Sequence, residues 1–315
     1  MKETSSNSLH WADGLLLLVA LFWGGNFAAV KFGLAEIPPI VFNAVRYVLA
    51  AIVLLIAVYV GGQTLRVQRQ HLLYIVLIGV LGNTGYPLLF VYGVDATSAD
   101  NAALIMAAIP VWVALLGTAV GMEKLNPRGW IGVTLSVAGI LLVILGSRQQ
   151  VELEFGGASI RGDLIILAAA LSWAIYTLAL RPLTKIYEST AISTLGMVVG
   201  IVPMTLLALP SIVQLDWWAV SWGAWASLLI TGVFAVGLAY IFWGYGVTHL
   251  GSTRTSLYLN VVPPIALFIN WLWLGETLTM LQWAGTIVAL AGVGLARRHT
   301  RQLPNGLLDR WVSNS

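Results

Sequence analysis

The chain writes YGVDATSADNAALIMAAIPVWVALLGTAVGMEKLNPRGWIGVTLSVAG over Tyr92–Gly139 and YGVTHLGSTRTSLYLNVVPPIALFINWLWLGETLTMLQWAGTIVALAG over Tyr245–Gly292, in frame at a constant spacing of 153 residues. Tyr92 matches Tyr245, Gly93 Gly246, Pro110 Pro263, Glu123 Glu276, Trp130 Trp283, Gly132 Gly285 and Gly139 Gly292. Leu and Val coincide easily between apolar segments, but Pro, Glu, Trp and Gly in one frame do not, so the stretch reads as an internal duplication. At a spacing of 150 the preceding halves follow, with Asp13 against Asp163, Trp23 against Trp173 and Ala29 against Ala179. The duplication therefore covers nearly the whole chain.

With 59% hydrophobic and 9% charged side chains over 315 residues, the chain has too few polar groups to cover a soluble surface of that size. It belongs in a bilayer, whose two interfaces suit the 14 Trp and 10 Tyr. The absence of Cys excludes disulfides, thiolate metal sites and cysteine nucleophiles. A net charge of +3, scattered in loops, argues against a nucleic-acid partner. The apolar run from Gly14 to Val30 has no small-x-small cleavage site before Lys31 and reads as a retained first span.

About 20 apolar residues cross the hydrocarbon core as a helix. Such runs fall at 14–33, 39–60, 71–93, 99–121, 128–146, 163–181, 190–209, 223–246, 253–274 and 280–296. The expected organisation is an N-terminal segment 1–13, a first five-helix repeat 14–146, a polar linker 147–162, a second repeat 163–296 and a basic tail 297–315. Asn126-Pro127 reads as an N-cap with Pro at the first helical position, and Thr279 with Gln282 as a capping box. Lys and Arg bias places both termini in the cytoplasm: Arg66, Arg69, Lys124, Arg128, Arg181, Lys185, Arg254 and the tail lie inside, and only Lys31, Arg148 and Arg161 outside. Five helices per copy is an odd number, so the second copy must enter upside down. The fold class expected is an all-α polytopic membrane protein of ten transmembrane helices in two inverted-topology repeats, the plan of many secondary transporters.

Phe22-Trp23-Gly24-Gly25-Asn26-Phe27, Arg46-Tyr47 and the Glu steps at Gly121 to Glu123 and Gly275-Glu276 resemble the EamA-domain branch of the drug/metabolite transporter superfamily. The resemblance spans about residues 13 to 297. It implies a bacterial inner-membrane permease, commonly an exporter of amino acids or related metabolites, with a central cavity between the copies. Distant relatives that carry nucleotide sugars or triose phosphates use basic cavity residues, which are scarce here at mid-depth.

No G-x-x-x-x-G-K-[ST], H-E-x-x-H or G-x-S-x-G occurs, and no catalytic residue, metal site or cofactor is expected. Glu36, Asp95, Asp100, Glu123, Asp163, Asp216 and Glu276 all fall near predicted span ends and none at mid-depth, which leaves a carboxylate proton relay without a candidate. Glu123 and Glu276 read as turn and helix-entry elements. The candidate cavity lining is polar and aromatic: Trp23, Asn26, Asn83, Tyr86, Phe90, Trp173, Tyr176, Tyr240, Trp243, Tyr258 and Asn260. For the central Asn and Trp residues, interhelical packing competes with that role. Pro110, Pro263 and Pro264 are helix breaks that free carbonyls. Arg46, inside a span, is a structural or gating charge that snorkels outward, pairs with Glu36 or Asp100, or meets substrate. Trp11, Trp130, Trp217, Trp218, Trp222, Trp271 and Trp273 read as interface anchors. Gly117/Gly121 and Gly196/Gly200 read as close helix contacts. The partners expected are a small-molecule substrate and membrane lipid, with a homodimer left open and no nucleic acid. The substrate is an amphipathic solute, an amino acid or related compound first and a multidrug or quaternary-cation cargo second.

Overall fold

The computed structural model describes residues 11–147, 158–246, 258–298 and 300–302. Ten apolar helices are present among them: α1 Trp11–Leu34, α2 Pro39–Val60, α3 Arg69–Ala96, α4 Ala99–Ala119, α5 Pro127–Ser147, α6 Ala158–Leu180, α7 Ser189–Gln214, α8 Trp222–Gly246, α9 Val262–Leu274 and α10 Met280–Arg298. The first eight are long and apolar enough to cross a bilayer, and the last two are shorter. The chain is an all-α polytopic membrane protein with one small ribbon. Most of the expected linker, the segment before α9 and the tail beyond Gln302 lie outside the described residues.

Several boundaries differ from expectation. α7 runs to Gln214 and carries Pro203 and Pro210 inside it, five residues beyond the expected end at 209. α6 begins at Ala158, ahead of the expected 163, which takes Asp163 inside the helix. The tail is not wholly irregular, because Thr300–Gln302 (β2) pairs antiparallel with Glu123–Leu125 (β1). Three-residue strands leave too little pattern to be seen in sequence.

Helices of the first half pack on helices of the second: α1 on α8 and α9, α2 on α7 and α8, α3 on α6 and α7, α4 on α6 and α9, and α5 on α10. Lipid is as apolar as Leu, so close approach and hydrogen bonding hold helices together. Small residues supply the approach. Methyls added to Gly132 and Gly139 of α5 would strike the backbone of α10 at Gly292 and Gly285, and Gly79 and Gly200 bring α3 and α7 together in the same way. Gly121 is not a packing glycine: at φ 69° it is a left-handed turn.

The caps hold. Gly129 N donates to Asn126 Oδ1 (2.9 Å), and Thr279 N and Gln282 N each donate to the other's side chain (2.8 and 3.2 Å). Glu276 enters a different helix from the one beside it: Ala99 N (3.0 Å) and Asp100 N (2.8 Å) donate to its carboxylate at the start of α4. Trp218 and Trp222 stand 98% and 90% exposed, as anchors would. Trp217 does not, because it donates to Ile212 O and packs on Trp225 at 5.4 Å.

Glu123 in β1 is buried against Gly117, and burial pushes its carboxyl pKa up against the opposing pull of Arg181. The folded chain then holds that proton more tightly than the unfolded one, whose Glu titrates near about 4.3. The stability from this site is full below that pH and is lost as pH rises through the folded value. Melting temperature recorded against pH should fall over that window, and Glu123→Gln should flatten the fall. A variant profile parallel to the parent's would remove the assignment.

Candidate functional site

α3 and α8 each open into a π segment, at Leu81–Gly85 and Ile230–Leu238. A π turn carries an extra residue per turn and shifts carbonyls from their usual donors, a geometry frequent at functional sites. Trp23 Nε1 of α1 donates to one such carbonyl, Ala235 O, at 2.9 Å. Glycines make room for the neighbours: Gly82 faces the Tyr176 ring, and Gly232 the backbone of Arg46. Tyr86 follows the first π segment directly, and Tyr240 lies two residues past the second.

Four helices then meet through aromatic rings. Trp173 of α6 stands 4.7 Å from Tyr86, 5.4 Å from Tyr176 and 6.2 Å from Tyr240, centroid to centroid. Trp23 stands 5.2 Å from Trp243, Tyr86 6.0 Å from Phe90, and Phe90 5.7 Å from Phe27. Trp23, Asn26, Tyr86, Trp173, Tyr240 and Trp243 are only half-buried, so the cluster keeps surface for a further neighbour.

Arg46 of α2 adjoins these rings and is 2% exposed. Its guanidinium carbon lies 5.3 Å from the Tyr47 centroid, 5.4 Å from Phe90 and 5.8 Å from Phe42. Nε donates to Asn43 Oδ1 at 2.9 Å, and Nη1 has no acceptor among the described residues. It neither snorkels nor pairs with the expected acids. Glu36 accepts from Ser221 N and Oγ, and Asp100 from Asn270 Nδ2 at 2.8 Å. A charge at the bilayer centre costs at least about 2.5 kcal/mol on insertion scales, a cost that falls toward the span ends. Ring faces recover about 2 kcal/mol each when desolvated. The cage of Phe42, Asn43 and Tyr47, with Phe27 beyond, was not foreseen; the available signal is Asn43 three residues before Arg46, on one helix face.

Of the other expected lining residues, Asn83 adjoins Tyr176 of the cluster and Tyr258 lies apart from it. Asn83 is buried between α3 and α7, where a methyl on Gly200 would stand 2.5 Å from its Cβ. Tyr258 donates to Asp13 Oδ1 (2.7 Å) at the end of the bundle where α1 begins. Asn260 belongs to the 3₁₀ turn Tyr258–Val261 and is described at its backbone alone. Pro110 follows a break at residues 107–108 of α4, whereas Pro263 and Pro264 open α9 within its first turn.

The end of the bundle where α1 finishes is tied by side chains. Asp163 Oδ1 accepts from Thr97 Oγ1 (2.5 Å) and Asn101 Nδ2 (3.2 Å), and Gln282 Nε2 donates to Asn101 Oδ1 (2.7 Å). Lys31 Nζ donates to the carbonyls of Val94, Asp95 and Thr97, closing the end of α3. Among the described residues no group of three His, Asp or Glu side chains could hold a metal.

The profile of the EamA-like transporter family matches residues 10–145 and again 160–298. The chain belongs to the EamA-like transporter family. Within that family it is 28% identical over 282 residues to the uncharacterized transporter YyaM of Bacillus subtilis, covering 89% of this chain and 91% of the relative. It is 27% identical over 291 residues to a probable terminal-alkyne amino-acid exporter of Streptantibioticus cattleyicolor, covering 92% and 93%. A crystal structure 18% identical in sequence shares the fold at a TM-score of 0.64, over 90% of this chain and 96% of its own. This EamA-like chain is thus a multi-pass membrane transporter.

Proposed function

We propose that the chain is a secondary transporter that moves a small amphipathic metabolite, an amino acid or related compound, outward across the bacterial inner membrane. Ten helices cross the bilayer, with both termini cytoplasmic, and two inverted five-helix halves alternate access around the ring cluster. The observation that carries this reading is the set of half-buried rings shared between the two halves, Tyr86 and Tyr240 on Trp173 and Trp23 on Trp243. Ring faces hold apolar or cationic groups and phenol tips hydrogen-bond polar ones, which suits an amphipathic solute.

Inversion is supported by the α5–α10 contact. Gly132 meets Gly292, and Gly139 meets Gly285, so exchanging matched positions returns the same pairs, as a two-fold axis requires. Rising numbers in α5 meet falling numbers in α10, which makes the pair antiparallel. A two-fold axis relating antiparallel membrane helices lies in the membrane plane.

Purified full-length protein in liposomes should accumulate labelled amino acids over time. Trp173→Ala should lower the rate about tenfold or more by removing the ring that touches three others. The reading is lost if folded Trp173→Ala protein transports like the parent, or if no amino acid crosses. Export of a quaternary cation, the second reading, draws on the same rings but must place its charge beside Arg46.

A further inference from the structure

We propose, resting on the transport reading, that Arg46 is the docking point for a carboxylate of the transported solute, which narrows the substrate class to amino acids and other organic acids. Arg46 is 2% exposed about two turns into α2, with Nη1 lacking an acceptor among the described residues. Its protein environment supplies one amide oxygen, from Asn43, and three ring faces, none of which carries a full negative charge. A buried cation that serves the fold alone is ordinarily paired. Here the pairing anion would arrive with the cargo.

The surroundings fit that use. The planar fork of Arg matches a carboxylate with two parallel hydrogen bonds, more strongly than a neutral donor would. The phenols of Tyr86 and Tyr240 lie within electrostatic reach of the guanidinium, and both rings also neighbour Trp173. A solute with its carboxylate on Arg46 would therefore lay its ammonium or apolar part on the Trp173 cluster. The charge is single, because the place matching Arg46 at a spacing of 150 is Gly196, packed against Gly79. The duplication supplies two similar halves, and one of them carries the anion receptor.

The test is ligand-induced thermal stabilisation of the full-length protein in lipid nanodiscs. The probes are pairs that differ by the carboxylate alone, phenylalanine with phenethylamine and leucine with isopentylamine, and tetraethylammonium as the cation. The acids should raise the melting temperature of the parent while the amines and tetraethylammonium do not. Arg46→Gln should weaken the acids by about 10- to 100-fold, the loss of a charged hydrogen bond. Arg46→Lys, a point charge without the fork, should fall between. Without ligand, Arg46→Gln should still fold, since it gives up the Asn43 hydrogen bond and the ring contacts together with the cost of a buried charge, and ligand shifts are read against each variant's own ligand-free melting temperature; should it fail to fold, the Lys variant carries the comparison. The assignment is overturned if the amines or tetraethylammonium stabilise the parent as the acids do, if Arg46→Gln binds the acids unchanged, or if no acid stabilises the parent. Liposome uptake judges transport separately. Uptake of tetraethylammonium untouched by Arg46→Gln would remove the carboxylate site and leave a transporter, whereas Arg46-dependent binding of acids without uptake would leave the site and remove transport.

Discussion

Gly139→Leu should separate α5 from α10 and cost the protein much of its folded yield. A methyl at Gly139 would already run into Ala289 N and stand 2.6 Å from Gly285 O, both backbone atoms that no rotamer change moves aside. Overpacking a core commonly destabilises by about 1–3 kcal/mol. A Leu against backbone belongs at or above the top of that range, because the helices must part and in lipid lose the dispersion contacts that hold them. Gly294, on the same helix pair, has nothing within 4 Å of an added Cβ, so Gly294→Leu is the matched control. Monodisperse yield and melting temperature in detergent should fall sharply for Gly139→Leu and little for Gly294→Leu. Equal behaviour of the two would mean that the α5–α10 seam is not what the repeated glycines serve.

That seam shows why so much of the fold is legible in sequence. Gly132, Gly139, Gly285 and Gly292 recur in one frame because both halves must present the same close-packed face, and the caps at Asn126 and Thr279 recur for the same reason. Length, hydropathy and capping are local, so the ten helices follow from the chain read in order. The candidate site is less legible. Trp23, Tyr86, Trp173, Tyr240 and Trp243 are brought together as rings beside π segments in α3 and α8, and a π turn has no periodic mark of its own. Tyr258 looks equally central by position in the sequence, yet Asp13 claims it. Arg46 reads as a charge in search of an acid, since the sequence does not show that the nearby acids are already engaged by Ser221 and Asn270.

Asp163→Ala should loosen the end of the bundle where α1 finishes and change which side reaches the rings. Asp163 is fully buried and receives hydrogen bonds from Thr97 and Asn101, and Asn101 in turn accepts from Gln282, so one carboxylate orders α4, α6 and α10. Removing this acceptor leaves buried donors unmet, a loss of about 1–3 kcal/mol of stability. Its matched residue, Asp13, accepts from Tyr258 at the opposite end of the bundle. On the proposed inverted plan these are one latch written twice, once per membrane face, and the proposed alternating access has them release in turn. The chain has no Cys, so a single Leu89→Cys, half-buried on α3 beside the cluster, reports access cleanly. Added from the Thr97 side, a thiol reagent should label Leu89→Cys several-fold faster when Asp163 is Ala, whereas Tyr258→Phe should leave labelling from that side unchanged or slower. If stability drops and labelling does not move, Asp163 is scaffold. If Tyr258→Phe speeds labelling from the Thr97 side as much as Asp163→Ala, the two ends do not work in opposition and the rocking of two halves is the wrong description.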